Sequence, residues 1–385
     1  MSFWTFAPQP NSPLGYHRIL SPTAGIKVSP LCLGGMNFGE GWEHFMGKCT
    51  KENAFALMDA FYDMGGNFID TYATLSLFYA VESLIELHSA NNYQEGDSER
   101  WIGEWMEVRG NRDQMVIATK YTTGFRDTHV DTERIQSNLV GNSAKSLQIS
   151  VRHSLLHLRT NYIDLLYVHW WDFTTSVEEV MQALNALVMA GNVLYLGASD
   201  MPAWIVVKAN DYARAHGLRP FSVYQGLWNP LRRDMESEIV PMCRDQGMGI
   251  APWGPLAQGK LKTAETRELT GGGRSDQVMT DDEIRVSDIL DEIAKDKNVS
   301  LPAVALAYLL HKTPYVIPII GQRKIEHLRT NVEALGVELS QSDMDKIDAA
   351  IPFDPRFPMS FMFPGEIRFE AHCCRRTIDA EGGLY

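Results

Sequence analysis

The feature that most constrains this chain is an alternation, sustained almost from end to end, of short apolar runs with longer amphipathic stretches. Residues 28–33 (VSPLCL), 67–69, 115–119 (MVIAT), 163–168 (IDLLYV), 193–196 (VLYL), 221–224, 249–251 and 315–320 (YVIPII) have strand length and composition. Around them lie 51–64, 98–108, 143–159, 176–190, 203–215, 234–244 and 324–335, where apolar residues recur at helical spacing. Phe55, Leu57, Met58 and Phe61 carry that spacing in the first of them. Strands joined by helices of this length pair in parallel through right-handed crossovers. Eight such units predict an α/β fold, a (β/α)8 barrel. The competing doubly wound sheet expects G-x-G-x-x-G after its first strand, and none is present. Gly271, Gly272 and Gly273 sit in a polar stretch and read as loop. Without an internal repeat or a low-complexity linker, the 385 residues read as one domain with its core at about 29–353. Segment 256–280, ahead of a further helix at 281–296, and the tail 354–385 read as irregular.

Composition narrows the function classes. At 45% hydrophobic and 22% charged residues the chain is ordinary globular protein. Its length lets it bury about three quarters of its unfolded surface without disulfide or metal staples. Thirty-five basic against 48 acidic residues leave a net charge of −13, which argues against nucleic acid and acidic membrane surfaces as partners. The cysteines (Cys32, Cys49, Cys243, Cys373 and Cys374) are odd in number and lack C-x-x-C spacing, so neither a disulfide framework nor a metal site is expected. The adjacent Cys373 and Cys374 read as inert thiols in a loose tail. The start MSFWTFAPQP lacks a signal-peptide pattern and no run reaches membrane-span length, so the expectation is a cytoplasmic protein.

In such barrels the chemistry sits at the C-terminal ends of the strands. There the sequence places Asp70 after the second strand, Lys120 after the third and His169 after the fourth. One polar residue at a strand end usually marks only a loop boundary. Three at successive ends, all able to handle protons, point to chemistry. A fourth candidate is Tyr93, in the segment ANNYQEGDSE (90–99) that leads into a helix.

The strings FIDT (68–71), ANNYQEGDSE, VIATKY (116–121), RTNYIDLLYVHWWD (159–172) and LGASDMPAW (196–204) resemble the aldo-keto reductase superfamily. Within it the chain is similar to the fungal aryl-alcohol dehydrogenase and norsolorinic acid reductase group. The resemblance implies that Asp70, Tyr93, Lys120 and His169 form a catalytic tetrad serving a nicotinamide cofactor. A tyrosine holds its proton at neutral pH and can give it to a developing alkoxide. A nearby lysine ammonium favours the tyrosinate left behind. An aspartate would pair with that lysine, and a histidine would position the substrate carbonyl. The resemblance further implies that Ser199, Asp200 and Gln225 hold the nicotinamide carboxamide and that Trp253 stacks on its ring. Gly321, Arg323 and Lys324 would bind phosphate at the start of a helix, the two cations favouring NADP(H) through its 2′-phosphate. Asn331 would contact adenine, and His327 replaces a glutamine or arginine of relatives. The implied activity is NADPH-dependent reduction of an aromatic or polyketide-like aldehyde or ketone, a small-molecule substrate. Trp42, Trp170, Trp171 and Trp228 suit a flat one, although each could equally be packing. The rival reading is a cofactor-holding subunit that senses redox state with little turnover.

One departure stands out. Tyr93 follows Asp70 by 23 residues, whereas relatives have five, and the excess of 18 matches segment 72–89. In it Leu77, Phe78, Val81, Leu84 and Ile85 fall at helical spacing, so one reading is an amphipathic excursion near the site mouth. The favoured reading is a short intron translated in frame, which would threaten the Asp70–Tyr93 geometry.

Overall fold

The computed structural model describes residues 9–41, 47–71, 96–124, 134–270 and 279–362. Two antiparallel strands, β1 (Arg18–Ser21) and β2 (Ala24–Val28), precede eight parallel ones. These are β3 (Cys32–Gly34), β4 (Phe68–Asp70), β5 (Val116–Tyr121), β6 (Ile163–Val168), β7 (Val193–Ser199), β8 (Phe221–Leu227), β9 (Gly249–Trp253) and β10 (Ile319–Ile320). Each pairs with the next as far as β9, and β10 pairs with β3. The ring is completed where the Ile250 N–H donates to Tyr315 O at 2.9 Å and the Ile317 N–H donates to Ile250 O at 2.8 Å. The run 315–320 therefore serves both neighbours, first β9 and then β3, with Pro318 between them. The result is the expected (β/α)8 barrel.

The helices between strands are α1 (Lys51–Asp63), α2 (Asp97–Arg109), α3 (Ala144–His157), α4 (Val177–Met189), α5 (Ala203–Ala215) and α6 (Ile239–Gln246). After β9 come α7 (Ala264–Thr270), α8 (Asp281–Lys297) and α9 (Leu301–Lys312); after β10 come α10 (Ile325–Val332), α11 (Gln341–Ala350) and α12 (Met359–Met362). Local chemistry sets several starts. Thr50, Ser143, Ser176, Thr280, Ser300 and Ser340 each accept a hydrogen bond from the backbone N–H three residues on.

Some boundaries differ from expectation. The run 28–33 is two strands, because Val28 ends β2 and Cys32 begins β3 with Pro30 between. The hairpin plugs the N-terminal end of the barrel, packing Leu20, Ala24 and Val28 against Phe68, Val116, Leu165 and Val223. Arg18 fastens it across the closing seam, donating to Pro30 O and Val316 O, and burial lowers its pKa to about 10. The stretch 234–244 breaks into a 3-10 turn at Asp234–Glu236 and α6. Helix 324–335 similarly stops at Val332 and continues as a 3-10 turn, Glu333–Gly336. Helices α7, α9, α11 and α12 are additional to those expected, α7 falling within 256–280 and α12 within 354–385, both read from the sequence as irregular. Every residue from Ala303 to Leu309 is buried, so α9 carries no amphipathic stripe to read.

The period-2 alternation of the strands sorts side chains into two cores. Phe68, Val116, Ala118, Leu165, Tyr167, Val223 and Ala251 fill the lumen. Ile69, Ile117, Tyr121, Leu166 and Val168 face the helices. Among the described residues, no helix is long and apolar enough to cross a membrane, and no group of three or more His, Cys, Asp or Glu is placed to hold a metal.

Candidate active site

The same alternation decides what reaches the mouth. Asp70 shares the lumen parity of Phe68, Lys120 that of Val116 and Ala118, and His169 that of Leu165 and Tyr167. Parallel registration sets Asp70 beside Ala118 and Lys120 beside Tyr167. Three residues spread over a hundred positions of sequence therefore converge at one end of the barrel.

There Lys120 Nζ donates to both Asp70 carboxylate oxygens, at 2.7 and 2.8 Å, with both side chains buried. The Gln225 side-chain amide donates to Asp70 Oδ1 at 3.4 Å. The Lys120 ammonium lies 5.0 Å from the centre of the Tyr167 ring, a cation–π contact in a dry lumen. Burial lowers the lysine pKa to about 8 even though Asp70 opposes the shift. It also raises the pKa of Asp70 against the pull of Lys120. The pair is a charge held where water cannot screen it.

His169 follows β6 immediately, 7% exposed, with Nδ1 2.9 Å from the Thr123 hydroxyl. Trp170 Nε1 donates to the same hydroxyl oxygen at 2.8 Å. The Thr123 proton can then go to Nδ1, which makes Nε2 the protonated nitrogen of a neutral ring. Burial, and secondarily the Lys120 charge, holds the imidazole pKa well below its usual 6.5. Unfolded His169 takes up a proton below about pH 6.5 while folded His169 does not, so folding stability falls as pH drops through that value. Denaturant titrations at about pH 7.5 and about pH 5 should show this loss, and His169→Gln should make it smaller. An unchanged difference would mean that the ring titrates normally when folded.

The cofactor candidates surround this group. Ser199 ends β7, Gln225 lies in β8 and Trp253 ends β9. Asp200 follows Ser199 at φ +43° and accepts the Trp253 indole N–H at 3.2 Å on both oxygens, fixing the ring plane. Ser199 and Gln225 are fully buried, yet Ser199 Oγ and Gln225 Oε1 have no hydrogen-bond partner among the described residues. A hydroxyl donor and an amide acceptor left unmatched while buried on adjacent strands are the complement of a carboxamide group. Gly321, Arg323 and Lys324 form the turn before α10, His327 is exposed on that helix and Asn331 is buried at its far end. Backbone at Arg323 is held by Asn53 Nδ2, which donates to its carbonyl at 2.9 Å. The guanidinium lies against Gly47, where a Cβ would fall 1.8 Å from Nη1.

Other residues were not singled out in the sequence. Gln322 accepts from Asn331 Nδ2 at 3.3 Å, and among the described residues its own buried Nε2 and the Oδ1 of Asn37, after β3, have no hydrogen-bond partner. Their signal was position alone, since each follows a barrel strand by two or three residues. The tryptophans expected around a flat substrate divide. Trp228 is fully buried and donates to Glu236 Oε1 at 3.0 Å, and Trp171 belongs to the outer core, so these two are packing. Trp170 is half-buried beside His169. Tyr93, Trp42, segment 72–89, Gly271 to Gly273, Cys373 and Cys374 lie outside the described residues.

Comparison with known proteins places the sequence in a family. Residues 30–352 match the model of the aldo/keto reductase family. The chain is 53% identical over 357 residues to norsolorinic acid reductase A of Aspergillus parasiticus, covering 93% of this chain and 86% of that protein. It is 52% identical over 350 residues to norsolorinic acid reductase B of Dothistroma septosporum, covering 90% and 84%. It is 47% identical over 370 residues to the NADP(+) aryl-alcohol dehydrogenase of Phanerodontia chrysosporium, covering 93% and 91%.

Proposed function

The chain belongs to the aldo/keto reductase family, and from that premise we propose that it reduces aromatic or polyketide-like aldehydes and ketones with NADPH, reversibly. The observation that carries the reading is the buried Lys120–Asp70 pair beside a neutral His169, bordered by the unmatched Ser199 and Gln225 groups. The names of the relatives above, aromatic-alcohol and norsolorinic acid enzymes, support the substrate class, and the family match gives the cofactor-sensing rival no support.

When bound, the nicotinamide supplies the hydride. Ser199 and Gln225 would hold its carboxamide, and Trp253, its ring plane set by Asp200, would offer an aromatic face to the nicotinamide. Tyr93 gives its proton to the carbonyl oxygen, and Lys120 stabilises the tyrosinate that remains. Asp70 keeps Lys120 in place. His169 donates its Nε2–H to the same oxygen, orienting the carbonyl before the proton moves.

Arg323 and Lys324 would hold the 2′-phosphate, and Asn331 with Gln322 would hold the adenine. A charge-assisted hydrogen bond to phosphate contributes about 1.5–3 kcal/mol. Arg323→Ala should therefore weaken NADPH about 10- to 100-fold in direct fluorescence titration and leave NADH nearly unchanged. NADPH oxidation with an aromatic aldehyde should follow the same order. Equal weakening of both nucleotides would remove the 2′-phosphate role. NADPH binding with no turnover of any aromatic carbonyl would remove the reductase reading.

A further inference from the structure

The start of α2 is tied to the barrel in a way that packing does not require. Strands β3 and β5 flank β4, which ends at Asp70. Ser98 Oγ donates to Gly35 O, just past β3, at 2.9 Å. Thr119 Oγ1, on β5 beside Lys120, donates to Glu99 Oε1 at 2.7 Å. The other Glu99 oxygen lies 3.4 Å from His157 Nδ1 at the end of α3. Ser98 and Thr119 are fully buried and Glu99 is 1% exposed. A carboxylate there is costly unless it is bonded, and an apolar residue would serve simple helix packing better. Gly35 closes the arrangement: a Cβ on it would fall 3.0 Å from Ser98 Oγ and 3.4 Å from Asp70 O. Helix start and Asp70 backbone are thus brought together by the absence of one methyl group.

Resting on the assignment of Tyr93 as proton donor, we propose that Ser98 and Glu99 are positioning residues. They clamp the start of α2 to both neighbours of β4, and so fix the point at which the chain that carries Tyr93, five residues before Ser98 in sequence, enters the helix. Hydrogen bonds are directional and fix a helix along and across its axis, whereas apolar contacts allow it to slide. Glu99 suits the task because a carboxylate in the first turn is also favoured by the helix dipole. Residues 72–89 then add length to a connection whose far end is already anchored. The 18 extra residues noted in the sequence need not disturb the site.

The test uses the full chain, a version lacking 72–89, and substitutions at the clamp. The full chain should reduce an aromatic aldehyde within about tenfold of the shortened one. A displacement near 1 Å costs roughly a hundredfold in rate, so Glu99→Ala and Thr119→Val should each lower kcat in the full chain by about that factor. NADPH affinity should stay within about twofold, because neither residue touches Ser199, Gln225 or Arg323. Glu99→Gln keeps an acceptor for Thr119 and should restore kcat to within about tenfold of the parent. An active shortened chain beside an inactive full chain would overturn the proposal. So would a folded Glu99→Ala with normal kcat, or one losing kcat and NADPH affinity in equal measure. Turnover retained in Tyr93→Phe would instead overturn the acid assignment beneath it, whatever the clamp variants do.

Discussion

Replacing Tyr93 with phenylalanine is expected to leave NADPH bound as before and to lower kcat by about 10²–10⁴-fold, the usual worth of a positioned general acid. The substitution removes the hydroxyl and its acidic proton and keeps the ring, so little side-chain volume is lost. Lys120 and Asp70 keep each other, since their pairing does not depend on the phenol. Loss of the acid alone predicts that kcat and kcat/KM fall together. Stopped-flow binding and steady-state turnover on the same preparation would separate the two quantities. A variant that turns over normally would show that another group, with His169 the nearest candidate, gives the proton.

The second large effect concerns the buried ion pair. Asp70→Leu strips Lys120 of its counter-charge in a site with no solvent to replace it. Breaking such a pair on one side costs about 3–5 kcal/mol of stability, whereas replacing both partners with apolar residues can be nearly neutral. The single variant should therefore show a much lower denaturant midpoint. The double variant Asp70→Leu with Lys120→Met should recover most of the stability and none of the turnover. A double variant as unstable as the single would mean that the pair is held by shape rather than by charge. Recovery of stability without activity would separate what the pair contributes to folding from what it contributes to chemistry.

Much of this was legible residue by residue. The polar cap residues mark helix starts, and α5 runs over the stretch its apolar spacing indicates. Asp70, Lys120 and His169 were recognisable because each ends an apolar run, and the parallel register then brings Lys120 and Asp70 to hydrogen-bond distance. The hairpin was hidden because β1 and β2 are too short to give a strong periodic signal, and the proline between β2 and β3 fell inside one apolar run. Trp228 reads equally as a pocket or a packing residue because its position after β8 says nothing about which way the indole points. Its partner Glu236 decides that, and Glu236 is itself held by Arg233, with a bond at 2.8 Å, and by Lys312 at 3.1 Å.

Local sequence thus set the order of strands and helices and, through period-2 parity, which side chains enter the lumen, because both depend on neighbours within a few positions. Properties that depend on distant segments meeting came from the packed barrel. Burial makes His169 neutral and brings Lys120 down to about 8, since desolvation arises only once the lumen closes. The grip of Thr119 on Glu99, and of Ser98 on Gly35, likewise exists only where β3 and β5 stand on either side of Asp70.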